Sequence, residues 1–129
     1  MFTRAATLLG AEAASAFLSA TNSCAHTGQR AFGIPPTRHC GVCFGCVVRR
    51  ASFHASGVTD TTEYISAGSD SRLQRWLDRI SVEPAVRSFV KRGVSERDLI
   101  ALGLPASQPL ADALDLCRRG ISELGGLHL

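Results

Sequence analysis

Residues 38–64 read RHCGVCFGCVVRRASFHASGVTDTTEY, and how this stretch is interpreted decides the rest of the chain. Cys40, Cys43 and Cys46 stand with two residues between neighbours, and Cys24 lies upstream beyond fifteen intervening positions. A two-residue gap lets a tight turn aim two thiolates at one ion, and Gly41 and Gly45 give the backbone freedom to do so. From Cys43 to about Ser56 the pattern predicts a helix, with Val47, Val48, Ala51 and Phe53 apolar and Gly57 placed as its stop. A third thiolate then comes from the first turn of that helix. Cys24, at the far end of a loop, is the natural fourth corner. All-sulfur ligation by Cys24, Cys40, Cys43 and Cys46 describes a structural zinc site, closed to substrate.

Other uses of four thiolates stay open at this level. Bacterial ferredoxins begin C-x2-C-x2-C, but their next cysteine would fall at position 50 and be followed by proline, where this chain has Arg50 and Ala51. His26 and His39 flank the cluster and are alternative donors for one corner; the reading adopted is that His39 only borders the turn. The dipole at the helix N-terminus, with Arg38, Arg49 and Arg50, is expected to offset the surplus charge of four thiolates on a divalent ion. Cys117 sits beside Leu114 on a presumptive helix face, where free cysteine behaves as a small hydrophobe, and it is assigned no chemistry.

Composition agrees with a metal-braced intracellular protein. The chain has 129 residues, enough for one ordinary domain or two small lobes, and its 45% hydrophobic content supports a core. Five cysteines are too few, and odd in number, for a disulfide-dense secreted scaffold, so the cluster implies a reducing compartment and a cytoplasmic location. The start, MFTRAATLLGAEAASAFLSATNSCA, has the outline of a signal peptide, but Glu12 interrupts its apolar core and an amphipathic helix is the better reading. No run reaches the roughly 18 apolar residues of a membrane span. Net charge is +3, with the surplus in the cysteine half: residues 1–59 carry five arginines against Glu12 alone.

The rest of the chain reads as helices separated by Gly and Pro. One helix is expected over about Thr3–Phe17, then a loop over residues 21–41 punctuated by Gly28, Gly33, Pro35 and Pro36. SAGSDS, residues 66–71, is a polar break that divides a segment 1–67 from a helical extension 68–129. In the extension Leu73, Trp76, Leu77 and Ile80 make one apolar face. Pro84 can open the next helix and Gly93 close it; Ser95 and Asp98 fit a capped start, Gly103 a stop, and Pro109 opens a last helix carrying Leu110, Ala113, Leu114 and Cys117. No strand is predicted, so the fold class is mainly α.

Four segments together carry a resemblance that spacing alone does not supply. Ser23-Cys24, HCGVCFGC at 39–46, RRASF at 49–53 and GVTDTTEY at 57–64 resemble the C-terminal signature of the 7-cyano-7-deazaguanine synthase (QueC-like) family. TRAATLLGAEA, from Thr3 to Ala13, resembles the helix preceding that signature, so the likeness covers roughly residues 3–64. It implies that Cys24, Cys40, Cys43 and Cys46 bind a structural zinc. It also implies that the chain is the C-terminal part of an α/β fold of the ATP-pyrophosphatase type. Asp60 and Tyr64, which match the end of the signature, are read as capping and packing the turn after the zinc helix.

Members of the family activate the carboxylate of 7-carboxy-7-deazaguanine with ATP, let ammonia displace AMP to give an amide, and activate again to form the nitrile. Their nucleotide is gripped by an N-terminal S-G-G-x-D-S loop, whereas the only Gly-Gly pair here is Gly125-Gly126, followed by Leu127. The expectation is a fragment or subunit of an ATP-dependent carbon–nitrogen ligase that is not catalytic by itself and contributes no catalytic residue. It would bind ATP only with an N-terminal ATP-pyrophosphatase half in the same or another chain, and Met1 is read as an internal methionine. A homodimer is also compatible with the sequence.

The extension resembles QueC-like proteins of Qat-type anti-phage systems, so either queuosine-type deazapurine biosynthesis or antiviral defence is implied. RDLIALGLPAS, residues 97–107, also resembles a helical hairpin of CCA-adding nucleotidyltransferases, but a packing pair of helices is the reading adopted. The alternative from another class is a stand-alone zinc-binding adaptor using Arg30, Arg38, Arg49 and Arg50. One Trp and one Tyr argue against a base-stacking nucleic-acid platform.

Overall fold

The computed structural model describes residues 2–105 and 107–127; Met1, Ala106, His128 and Leu129 lie outside that description. The chain folds into helices α1 (Phe2–Leu9), α2 (Ala11–Ala20), α3 (Phe44–Ser56), α4 (Ser71–Ile80), α5 (Glu83–Arg92), α6 (Glu96–Ala101) and α7 (Leu110–Gly126). Among the described residues no strand forms. A single parallel bridge joins His39 to Tyr64, where His39 N–H donates to the Glu63 carbonyl at 3.1 Å and Ile65 N–H to the His39 carbonyl at 2.8 Å.

The one long N-terminal helix expected from the sequence is two. Gly10 has φ of 82°, a conformation glycine adopts without a side-chain clash, and it turns α1 back onto α2. Phe2 meets Phe53 of α3 edge-on, with 4.8 Å between ring centroids. The loop after α2 also contains more structure than its composition suggested, a 3-10 turn over Gly28–Phe32.

The helix ends follow local chemistry. Gly57 closes α3 with φ of 68°, the left-handed cap that glycine tolerates best. Asp70 caps α4 by accepting from the backbone N–H groups of Arg72 at 2.9 Å and Leu73 at 3.0 Å. Pro84 occupies the first turn of α5, where a missing N–H costs nothing.

Two apolar clusters hold these elements. The first joins Cys40, Cys43, Cys46 and Ile65 to Leu73, Trp76 and Leu77 of α4, so the helix after the polar break closes over the cysteine turn. Burying each of those three α4 side chains contributes on the order of 1.5–3 kcal/mol. The second joins Leu99 of α6 to Ala113 and Leu114 of α7, with half-buried Cys117 against them. α7 also packs along α3. Backbone ties reinforce the connection: Val82 N–H donates to the Val42 carbonyl, inside the cysteine turn, at 2.9 Å. No described helix is long and apolar enough to cross a membrane.

At the start of α6 the Asp98 carboxylate accepts from the Ser95 hydroxyl at 2.7 Å, the Ser95 N–H at 2.8 Å and Arg92 at 3.0 Å. The bonds to Ser95, with Arg92 beside them, lower its pKa to about 2. A depressed carboxyl stabilises the fold at pH values above the ordinary range near 4, and that contribution is lost as pH falls through about 2. Carbon-detected NMR of the Asp98 carboxyl should therefore show a midpoint near 2, raised by Ser95→Ala and less so by Arg92→Ala. A midpoint near 4 in the unsubstituted chain would contradict this network.

Candidate metal centre

The four cysteines singled out by spacing meet in one place. Their sulfur atoms all lie within 4.8 Å of one another, and Cys40 and Cys46 are 3.9 Å apart. A tetrahedron with metal–sulfur arms near 2.3 Å has edges of about 3.8 Å, so the cluster has nearly the size that a zinc-like ion requires. Cys40, Cys43 and Cys46 are buried and Cys24 half-buried, which closes the centre to substrate. Among the described residues no histidine belongs to this group. His39 is buried beside it instead, with its ring edge against Tyr64, and burial lowers its pKa with help from Arg49.

Each sulfur is placed by a different local device. Cys43 is the N-cap residue of α3 and Cys46 lies in its first turn, so both sit at the positive end of the helix. Gly41, at φ of 80°, turns the chain between Cys40 and Cys43. Backbone N–H groups point at sulfur: Cys43 N–H donates to Cys40 Sγ at 3.4 Å, and Cys40 N–H to Cys24 Sγ at 3.5 Å. Such bonds favour the thiolate form. Asn22 Oδ1 accepts from Cys24 N–H at 2.9 Å, which fixes the backbone at the fourth cysteine.

Gly45 matters for closeness rather than backbone freedom. It is helical, and a Cβ on it would stand 2.1 Å from the Ser23 carbonyl oxygen, closer than atoms can approach. The first turn of α3 is thus pressed against the residue preceding Cys24. Only glycine lets the two arms of the cluster meet.

The thiols are electrostatically interdependent. In the hydrogen bond between Cys40 and Cys46, Cys40 is drawn down to about 4 and Cys46 is pushed up. Burial raises the Cys24 thiol. Sulfurs this close resist joint ionisation, and a bound dication removes that conflict by taking all four as thiolates. The donor set, its burial and its spacing fit a four-thiolate ion.

The arginines around the cluster are also tied into the surrounding fold. Arg49 is buried and donates to the Thr62 hydroxyl at 3.1 Å, the Thr21 hydroxyl at 3.0 Å and the Leu18 carbonyl, while its guanidinium lies 5.5 Å from the Phe53 ring centroid. It ties the end of α2 to the loop after α3. Arg50 donates to the Gly41 carbonyl at 3.0 Å and pairs with Glu83 at 2.7 Å, which fastens α5 to the cysteine turn. Arg38 pairs with Glu63 at 3.0 Å on the surface.

Sequence reading had not given Arg49 this role. The signal was its position: Cys46, Arg49 and Phe53 recur at three and four residues, one buried face of α3. Asp60 accepts from Thr62 N–H at 2.9 Å and from the Tyr64 hydroxyl at 2.7 Å, which makes the pair a brace of the turn as expected.

Part of this chain is similar to known enzymes. The 7-cyano-7-deazaguanine synthase of Sinorhizobium fredii is 68% identical over 28 residues, which are 22% of this chain and 12% of that protein. The synthase of Agrobacterium fabrum is 67% identical over 27 residues, 21% of this chain and 11% of its own length. That of Allorhizobium ampelinum is 63% identical over 27 residues, 21% and 12% of the two chains. The matched stretch therefore spans about an eighth of each curated relative. The likeness to this family drawn from the cysteine motifs is thus also found by direct comparison. No family model matches the chain, and no solved structure does.

Two glycine variants should separate contact from conformation. Gly45→Ala should destabilise the protein by roughly 2 kcal/mol or more and raise hydrogen exchange across residues 21–43, because the new methyl drives the cysteine arms apart. Gly120→Ala in α7, where nothing lies within 4 Å of the new methyl, should stabilise by up to about 1 kcal/mol. Equal melting temperatures for both variants would refute the close approach.

Proposed function

We propose that this chain is the C-terminal zinc-binding portion of a 7-cyano-7-deazaguanine synthase-like, ATP-dependent ligase. The observation that carries the reading is a conjunction. A block of 28 residues is 68% identical to a synthase of that name, and four cysteine sulfurs gather within 4.8 Å in the same short chain. Zinc is the ion proposed, held by Cys24, Cys40, Cys43 and Cys46; when bound it supplies a cross-link between loop and helix.

On this reading the chain's residues shape and hold a wall rather than react. Cys24 anchors the loop to α3, Arg49 fixes the end of α2 against Thr62, and Arg50 locks the cysteine turn to α5. The nucleotide half of the ligase, an ATP-pyrophosphatase-type fold in the same or another polypeptide, would supply the phosphate-gripping loop. The first helices are proposed to pack on it. Their exposed apolar side chains Leu8, Leu9 and Phe17 support such a contact. The substrate class would be 7-carboxy-7-deazaguanine, in a cytoplasmic pathway of queuosine type or in anti-phage defence. Reacting groups must be positioned within a fraction of an ångström, so a missing wall can abolish turnover without removing a catalytic residue.

Elemental analysis of the purified protein should find about one zinc per chain. Iron with visible sulfide-to-iron absorption, and no zinc, would reverse the assignment. In thermal melts Cys43→Ser should loosen residues 21–64 far more than Cys117→Ser, since binding energy at such a centre is folding energy. AMP release supplies the functional test: this chain alone should yield none, and combination with a QueC-like nucleotide-binding half should restore it. AMP from this chain alone, or no gain with the proper half, would overturn the proposal.

A further inference from the structure

A cleft between the loop that joins Cys24 to Cys40 and helix α4 is independent of the ligase reading. Gly28, Ala31 and Phe32 of the 3-10 turn form one wall of a cleft of about 730 Å³; Arg72, Arg75, Trp76 and Arg79 of α4 form the other. The three arginines fall at i, i+3 and i+7, on one side of the helix, while Leu73, Trp76 and Leu77 turn inward to the core. At 1.5 Å per residue the guanidinium-bearing positions span about 10 Å along the axis.

None of these three arginines takes part in an ion pair among the described residues. The carboxylate lining the cleft, Asp78, accepts from Gln74 Nε2 at 2.7 Å, and the lining carries a net charge of +2. Arg75 makes only a long bond to the Ser71 hydroxyl, at 3.4 Å. Arg72 lies 5.4 Å over the Phe32 ring, which orients its plane and leaves its N–H edges free.

We propose that this cleft binds the phosphodiester backbone of a nucleic-acid strand. A row of exposed, unpaired guanidinium groups suits several phosphates in line better than one small anion, because such groups attract charge through water without desolvating it. Recognition is of backbone and not of bases. Trp76 is buried and the Phe32 face is occupied by Arg72, so neither ring is open to a stacked base. The small number of aromatic residues is therefore no obstacle, and binding is indifferent to sequence. The 3-10 wall lies between Cys24 and Cys40, so the metal centre holds the loop that faces the arginines.

The test is fluorescence anisotropy of the full chain with labelled single-stranded oligonucleotides of about a dozen nucleotides, in two unrelated sequences. Three phosphate contacts on a single strand predict log K falling with log salt at a slope of about −2 between roughly 20 and 200 mM. Arg72→Gln/Arg75→Gln/Arg79→Gln should bring that slope near zero and weaken low-salt binding at least about tenfold. Arg118→Gln/Arg119→Gln on α7 should change neither. Should the triple variant melt at low temperature, Arg79→Glu alone, on the exposed face, should still flatten the slope. No binding at the lowest salt, equal binding by the variants, a marked preference between the two sequences, or inorganic triphosphate binding as tightly as the strand would each overturn the proposal.

Discussion

Four sulfur atoms drawn from two parts of the chain must occupy one small volume, and most of the fold can be read as the means of getting them there. Three arrive together because a left-handed Gly41 and the start of α3 bring Cys40, Cys43 and Cys46 to one turn. The fourth comes from the far end of a fifteen-residue loop, and the contact that admits it is backbone on backbone, Gly45 against the Ser23 carbonyl. Around this point the chain spends its specific polar bonds: Asn22 to Cys24, Arg50 to Gly41, Val82 to Val42. Apolar cover follows, with Leu73, Trp76 and Leu77 laid over the buried sulfurs.

Features whose chemistry is local were legible in the sequence. Cysteine spacing picked out the four sulfurs that the fold gathers, Gly57 and Gly93 mark the ends of α3 and α5, and the Ser95–Asp98 pair the start of α6. What could not be read depends on partners far away in the chain. Nothing near Gly10 in an Ala- and Leu-rich run announces a break; the reversal makes sense only with α1 packed on α2 and Phe2 against Phe53. Arg49 and Arg50 look alike as neighbours, yet one faces the core and the other Glu83, because a helix turns about 100° per residue. Gly45 serves close approach and not backbone freedom. A glycine needed for contact and one needed for conformation are the same letter.

The polar break at residues 66–71 separates two stretches of sequence without keeping their side chains apart. α4 covers the cysteine turn, α5 is tied to it by backbone and by ion pair, and α7 lies along α3. The helices of the second half are therefore neighbours of the cysteine cluster. One consequence is the character of α4, which turns an apolar face to the sulfurs and a cationic face outward; the same ten residues cover the centre and line the cleft.

The spacing of the four cysteines also makes the costs of bringing them together unequal. Cys40, Cys43 and Cys46 fall within seven residues, so gathering them closes only short loops, whereas Cys24 must close one of fifteen residues. Loop-closure entropy grows with length, and contacts near in sequence form sooner than distant ones. Closing the turn before α3 is therefore the smaller entropic cost, and bringing in the Cys24 arm, which follows α2, is the larger one. Three of the four thiols are thus held together by local structure alone and the fourth depends on one loop; wherever that loop opens, the remaining sulfurs are left to oxidation or to a competing soft metal.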